Sequence, residues 1–297
     1  MGIVVESTST ATGSTPNVTI TKPTGLAVGD LLIAVLSAED DTPQTPTWNT
    51  LSGWSSAQGG NYDSRVAFSI QYKVATAGDV AASNFTFAMS TSAMTTIRGS
   101  LLRCSGAPVT AQSFTSAITN NLAAASFSFS DTFTSYTPQE DGALVIMQIG
   151  GRGGGATQIT VAGYNTVTTG ITFTELYDVG ITTTDPVGGK VVIASAYGVQ
   201  GTAAALSQYS ATYTASSSVE DHFGQIVVFS PIVDATGTNT LATATASALA
   251  QTGTCDTNGT NTFVTATGVT LPQTGRGEVP TQWTNETKPS TTWTNET

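Results

Sequence analysis

The feature that most constrains folding is a succession of short runs rich in β-branched and aromatic residues: "NVTITKP", "DLLIAVLSA", "RVAFSIQYKVA", "NFTFAMS", "GSLLRCSG", "FSFSDTF", "ALVIMQIGG", "KVVIASAYGV" and "GQIVVFSPI". Gly, Pro and Asp punctuate them, and few windows carry a helical period with start and stop signals. A period of two places successive side chains on opposite faces of a sheet, so each run presents an apolar face that has to be covered. Strands of this number and spacing close as a two-sheet sandwich or a barrel. The expected fold is all-β, an antiparallel, jelly-roll-like β-sandwich.

The runs recur. Residues 64–74, "SRVAFSIQYKV", align with 189–199, "GKVVIASAYGV", at an offset of 125 that matches Val66 to Val191, Tyr72 to Tyr197 and Val74 to Val199. The same offset lays "RGSLLRCS" (98–105) on "FGQIVVFS" (223–230), with Gly99 on Gly224 and Ser105 on Ser230. Upstream, "GDLLIAVL" resembles "DGALVIMQ" at about 112, which calls for a longer connection in the second copy. Residues 1–232 therefore read as two related halves, about 1–110 and 111–232, packed face to face or as neighbouring lobes.

A second repeat follows in residues 233–275. "GTNTLATATASALAQTG" (237–253) and "GTNTFVTATGVTLPQTG" (259–275) agree at 11 of 17 positions with an offset of 22. A unit this short cannot bury its own apolar face, so it must pair with its copy, another subunit or a foreign surface. Residues 276–297 form an extended tail in which WTNET occurs twice, at Trp283 and Trp293, with Pro289 between them. An indole offers a large apolar surface and one N–H donor, so both tryptophans read as pegs that dock on a partner.

Composition narrows the function. Charged residues are 10% of the chain and the net charge is −11, so neither a basic stripe for nucleic acid nor an attraction to anionic membranes is expected. The N-terminus "MGIVVESTSTATGS" lacks the basic and apolar regions of a secretory signal, and no run has the length of a membrane-spanning helix. Met1-Gly2 has no second lipid signal beside it. Cys104 and Cys255 cannot make a disulfide framework, and the Asn-x-Thr sequons at Asn17, Asn84, Asn258, Asn285 and Asn295 follow from a Thr- and Asn-rich composition.

Candidate sites each have a plainer competitor. Trp48, Trp54 and Tyr62 surround a Gly/Ser/Asn-rich loop and could stack a sugar ring; alternatively one indole plugs the end of the core and the other covers a loop. Glu39, Asp40 and Asp41 supply calcium-type oxygens without the spacing of a calcium loop, and read as a solvated turn. His222, the lone histidine, has no partner histidine or nucleophile motif and reads as a loop or strand-edge residue. Gly151, Gly153 and Ala156 have a dinucleotide-type spacing but precede a strand-like run, which indicates a mobile loop. Glu175 and Asp178 are the carboxylates that a glycan hydrolase would use. No catalytic residue, metal site or cofactor is expected.

"VTITKPTGLAVGDLLIAVLSAED", the "TW…GW" aromatics, "QYKVATAGD", "RGSLLRCSGAP", and the closing "VTATGVTLPQTG" and "WTNETKPSTTWTNET" together resemble β-sandwich structural proteins of tailed bacteriophages and prophages. The resemblance implies a virion component partnered by other virion proteins, and the expected place is capsid decoration or a tail attachment. Exposed sheet edges have to be covered, which in a virion protein is usually done by symmetric contact, so a homo-oligomer is expected, with a trimer the leading expectation. The alternative is a carbohydrate-binding adhesin of a tail fibre that contacts host glycans.

Overall fold

The computed structural model describes residues 2–13, 16–40, 45–62, 64–90, 94, 96–106, 109–115, 119–153, 159–166, 170–180 and 190–232. The chain divides after Val233. The 22-residue repeats, the WTNET tail, Cys255, Trp283 and Trp293 all lie outside the described residues.

The first half contains β1 (Val4–Gly13), β2 (Asn17–Thr21), β3 (Leu31–Glu39), β4 (Ser55–Tyr62), β5 (Val66–Val74), a one-turn helix α1 (Ala77–Ala81), β6 (Asn84–Ala88) and β7 (Thr96–Ser105). A five-stranded antiparallel sheet runs β1-β7-β3-β5-β4, and β2 pairs with β6 to cover one of its faces. On β2 and β6 the buried residues alternate, so Val18, Ile20, Phe85 and Phe87 point inward onto Leu32, Ala34, Leu36 and Ala38 of β3. Thr76 and Asp79 cap α1 reciprocally, and Lys73 holds Asp79 at 2.8 Å.

The second half contains β8 (Val109–Thr115), β9 (Thr119–Tyr136), β10 (Ala143–Gly153), β11 (Ile159–Thr166), β12 (Phe173–Gly180), β13 (Lys190–Gln200) and β14 (Leu206–Pro231). The order is again the same: β8-β14-β10-β13-β12 repeats β1-β7-β3-β5-β4. The long strand β14 does the work of both β6 and β7. Its first part pairs with β9 and β11 in the covering layer, and its last part pairs with β10 and β8 in the large sheet.

Register makes the correspondence exact to the residue. Leu31 pairs with Val74 and Cys104, while Leu144 pairs with Val199 and Phe229. The central strand thus shifts by 113 (144 − 31) and both neighbours by 125 (199 − 74 and 229 − 104). The shift exceeds the sequence alignment's 112 by one residue, which matters because a one-residue slip exchanges the faces of a strand. Even the irregularity repeats: a β-bulge falls between Ser56 and Gln58 on β4, and between Glu175 and Tyr177 on β12. The longer connection expected in the second copy contains β11.

Beyond its own covering layer, each large sheet has a second buried face, and these two faces pack on each other. Leu31, Ile33, Val35, Ile70, Leu102 and Cys104 meet Leu144, Ile146, Tyr177, Val227 and Phe229 there. Tyr62 stacks on Phe223 at 5.7 Å, and Tyr72 meets Phe229 edge-on at 5.4 Å. All nine positions of β3 are consequently buried.

The matched glycines have one steric reason. A methyl group at Gly99 would lie 2.7 Å from Ile20 Cδ1, and one at Gly224 2.9 Å from the Tyr209 hydroxyl, so in both halves a covering side chain presses on the strand. Gly150 is tighter still, with the Phe223 ring 1.9 Å from where its Cβ would stand. Gly150→Ala is therefore expected to cost about 1–3 kcal/mol or more in urea unfolding, above the cost of Gly99→Ala, where a flexible side-chain end can give. Adding Phe223→Leu should recover part of the loss; equal costs for the two alanines would contradict this packing.

Candidate functional site

Three polar or titratable groups of residues are available to do chemistry. The first crosses the seam between the halves. Tyr62 Oη donates to Gln225 Oε1 at 3.1 Å, and Gln225 Nε2 donates to Gln148 Oε1 at 2.6 Å. Gln148 Nε2 in turn donates to the Leu36 carbonyl at 2.7 Å and to Ser37 Oγ at 3.0 Å, and Ser37 Oγ lies 2.6 Å from Tyr177 Oη. Every member is buried. Burial pushes the Tyr62 and Tyr177 phenols up to about 12, so both remain neutral donors at physiological pH. The ladder is enclosed, and its chemistry is to satisfy polar groups across an apolar seam.

The proposed sugar platform is not formed. Tyr62 is 8% exposed within that seam, and Trp54, also 8% exposed, packs edge-on against Phe85 at 5.7 Å and Phe87 at 5.3 Å. Trp48 is half-buried against the same core, with its indole N–H donating to the Ala67 carbonyl at 3.1 Å. Trp54 is the core plug and Trp48 the loop cover; neither Trp54 nor Tyr62 leaves a ring face open.

Three other expectations need correction. Glu39 and Asp40 are buried at the end of β3, where the Asp40 amide donates to the Arg65 carbonyl at 3.0 Å, and so they are not a solvated turn; Asp41 lies outside the described residues. No metal-binding group occurs among the described residues. His222 is fully buried inside β14, paired with Gly151 and Thr119, with Nδ1 2.7 Å from the Tyr213 hydroxyl. Gly151 and Gly153 belong to β10 rather than to a loop, and Ala156 lies outside the described residues.

The second group is Glu175, Asp178 and Tyr164. Three residues apart on a regular strand, the two carboxylates would face opposite ways, but the bulge between Glu175 and Tyr177 resets the alternation. Asp178 Oδ2 accepts from the Val161 amide of β11 at 2.8 Å, while its Oδ1 and the Tyr164 hydroxyl are buried without a hydrogen bond. Burial first, and the Glu175 charge second, push Asp178 up to about 6 against the lowering effect of the Val161 amide. Burial and the two nearby carboxylates likewise push the Tyr164 phenol up. A carboxyl that titrates near neutrality beside an exposed carboxylate can exchange protons. Tyr164 gave no sequence signal; only the placement of β11 brings it there.

The third is a cleft of about 440 Å³ at one end of the seam, lined by Leu31, Ser55, Tyr72, Lys73, Val74 and Val109. Its walls come from β3, β4, β5 and their adjoining loops, with Val109 of β8 closing it from the second half. No family model, curated protein or solved structure matches the chain.

Two outcomes follow. Tyr177→Phe should lower stability by about 1–3 kcal/mol in urea unfolding by leaving Ser37 and Gln148 under-satisfied, whereas a surface phenol would give no measurable change. Because the folded pKa of Asp178 is raised, its contribution is fully present below about pH 4 and lost as pH rises through about 6. Asp178→Asn should accordingly raise the melting temperature at pH 8, with the gain vanishing toward pH 4; a pH-independent difference would contradict the assignment.

Proposed function

We propose that this chain is a non-enzymatic structural protein of a bacteriophage particle, carried on the virion surface as capsid decoration or a tail-attached component. It is homo-oligomeric and held by its repeat-containing C-terminus, with other virion proteins as partners. The observation that carries this reading is a duplicated β domain joined to a tail that also repeats its anchor, WTNET. Repeated weak contacts through one strap suit a particle whose surface presents the same neighbour many times. A surface poor in charge and rich in hydroxyls, with Trp54 and Tyr62 committed to packing, supports a scaffold over a sugar binder.

Mass spectrometry of purified virions tests the assignment: the chain should be present at high copy number, and its absence from particles would overturn it. If a buried indole at the interface contributes on the order of 2 kcal/mol, Trp283→Ala should weaken attachment about thirty-fold, and adding Trp293→Ala should lower occupancy further. Full occupancy after deletion of residues 275–297 would refute the strap. Glycan turnover by the purified protein, abolished in Asp178→Asn, would refute the non-enzymatic assignment.

A further inference from the structure

We propose that the seam cleft is the receptor for the WTNET tail of a second copy of this chain. The inference rests on the homo-oligomeric reading above and adds where the strap grips. The cleft offers what an indole needs: Leu31, Val74 and Val109 as aliphatic walls, the Tyr72 ring, and the Ser55 hydroxyl as an acceptor for the indole N–H. Val74 is 59% exposed although it lies at the end of a core strand, so apolar surface is left open at this point. Lys73 also lines the cleft, and with its ammonium held by Asp79 at 2.8 Å its aliphatic stem adds to the apolar wall.

The path of the chain agrees. Strand β14 ends at Pro231, which pairs with Val109, so the chain leaves the described fold at the lip of this cleft. Residues 233–282 then precede Trp283. Their contour, on the order of 150 Å or more, exceeds the diameter of a domain of this size, so a tail can reach the same cleft on an adjacent copy. Of the four tryptophans, Trp48 and Trp54 pack against the first-half core, and the other two lie in the repeated pentapeptide.

Photo-crosslinking tests this with the full-length chain carrying p-benzoylphenylalanine in place of Val74, an exposed position that tolerates the larger side chain. Irradiation should give a covalent dimer whose linked peptide contains Trp283 or Trp293. A synthetic TQWTNETKPSTTWTNET peptide should compete, and Trp283→Ala with Trp293→Ala should cut the dimer yield about thirty-fold or more. A dimer linked through another peptide, or a link confined within one chain, would overturn the proposal. So would the absence of any link in a sample that light scattering shows to be oligomeric. A strictly monomeric chain would overturn the homo-oligomeric reading itself, so the two failures are distinguishable. A Val74→Lys variant gives a second measurement: it should lower the oligomer fraction without lowering the melting temperature, and an unchanged fraction would count against the cleft.

Discussion

The architecture of residues 1–232 depends on the seam where two large sheets bury their second faces against each other. In a simple sandwich a sheet has one face in the core and the other in water, and its strands alternate accordingly. Here β3 and β10 lie between a covering layer and the other half, so both faces are apolar, and neither "LLIAVL" nor "ALVIMQI" shows alternation. The seam also accounts for the burial of Glu39, which shares the face of Ile33 and Val35, whereas His222 is enclosed on the opposite side of its sheet, by Tyr213 of the covering layer.

The halves share register and bulge but differ where they touch. In equivalent positions Val35 stands for Gln148, Ser100 for Gln225, Gln58 for Tyr177 and Ile70 for Ser195. The amides come from one side, while Ser37 and the Tyr62 hydroxyl come from the other, so the ladder is complete only between unlike halves. A buried polar chain contributes little net stability over an apolar seam of equal volume, yet breaking one link leaves several groups unsatisfied. It therefore fixes how the sheets align.

Much of this was legible in the sequence. The strand runs, their antiparallel arrangement and the matches of Tyr72 with Tyr197 and Gly99 with Gly224 follow from periodicity and self-comparison, because local patterns record which face is buried. The seam was less legible. Gln148 and Gln225 interrupt otherwise apolar strands, a visible sign that a partner must satisfy them, but nothing local says that the partners are Tyr62 and Ser37, more than a hundred residues away. Tyr62 and Trp54 looked available for a ligand because aromatic residues beside a polar loop have the same composition whether they cover a core or face solvent. The closeness of Glu175 and Asp178 depends on a bulge, which shifts facing by one residue without changing composition.

The central claim is that the seam makes two similar halves one cooperative body. Native-state hydrogen exchange tests it most directly. The amides of β3 and β10 should open last and at the same free energy, the global one, with Tyr177→Phe lowering both together. Exchange of one half at a clearly lower free energy than the other, with only that half responding to the substitution, would contradict the account.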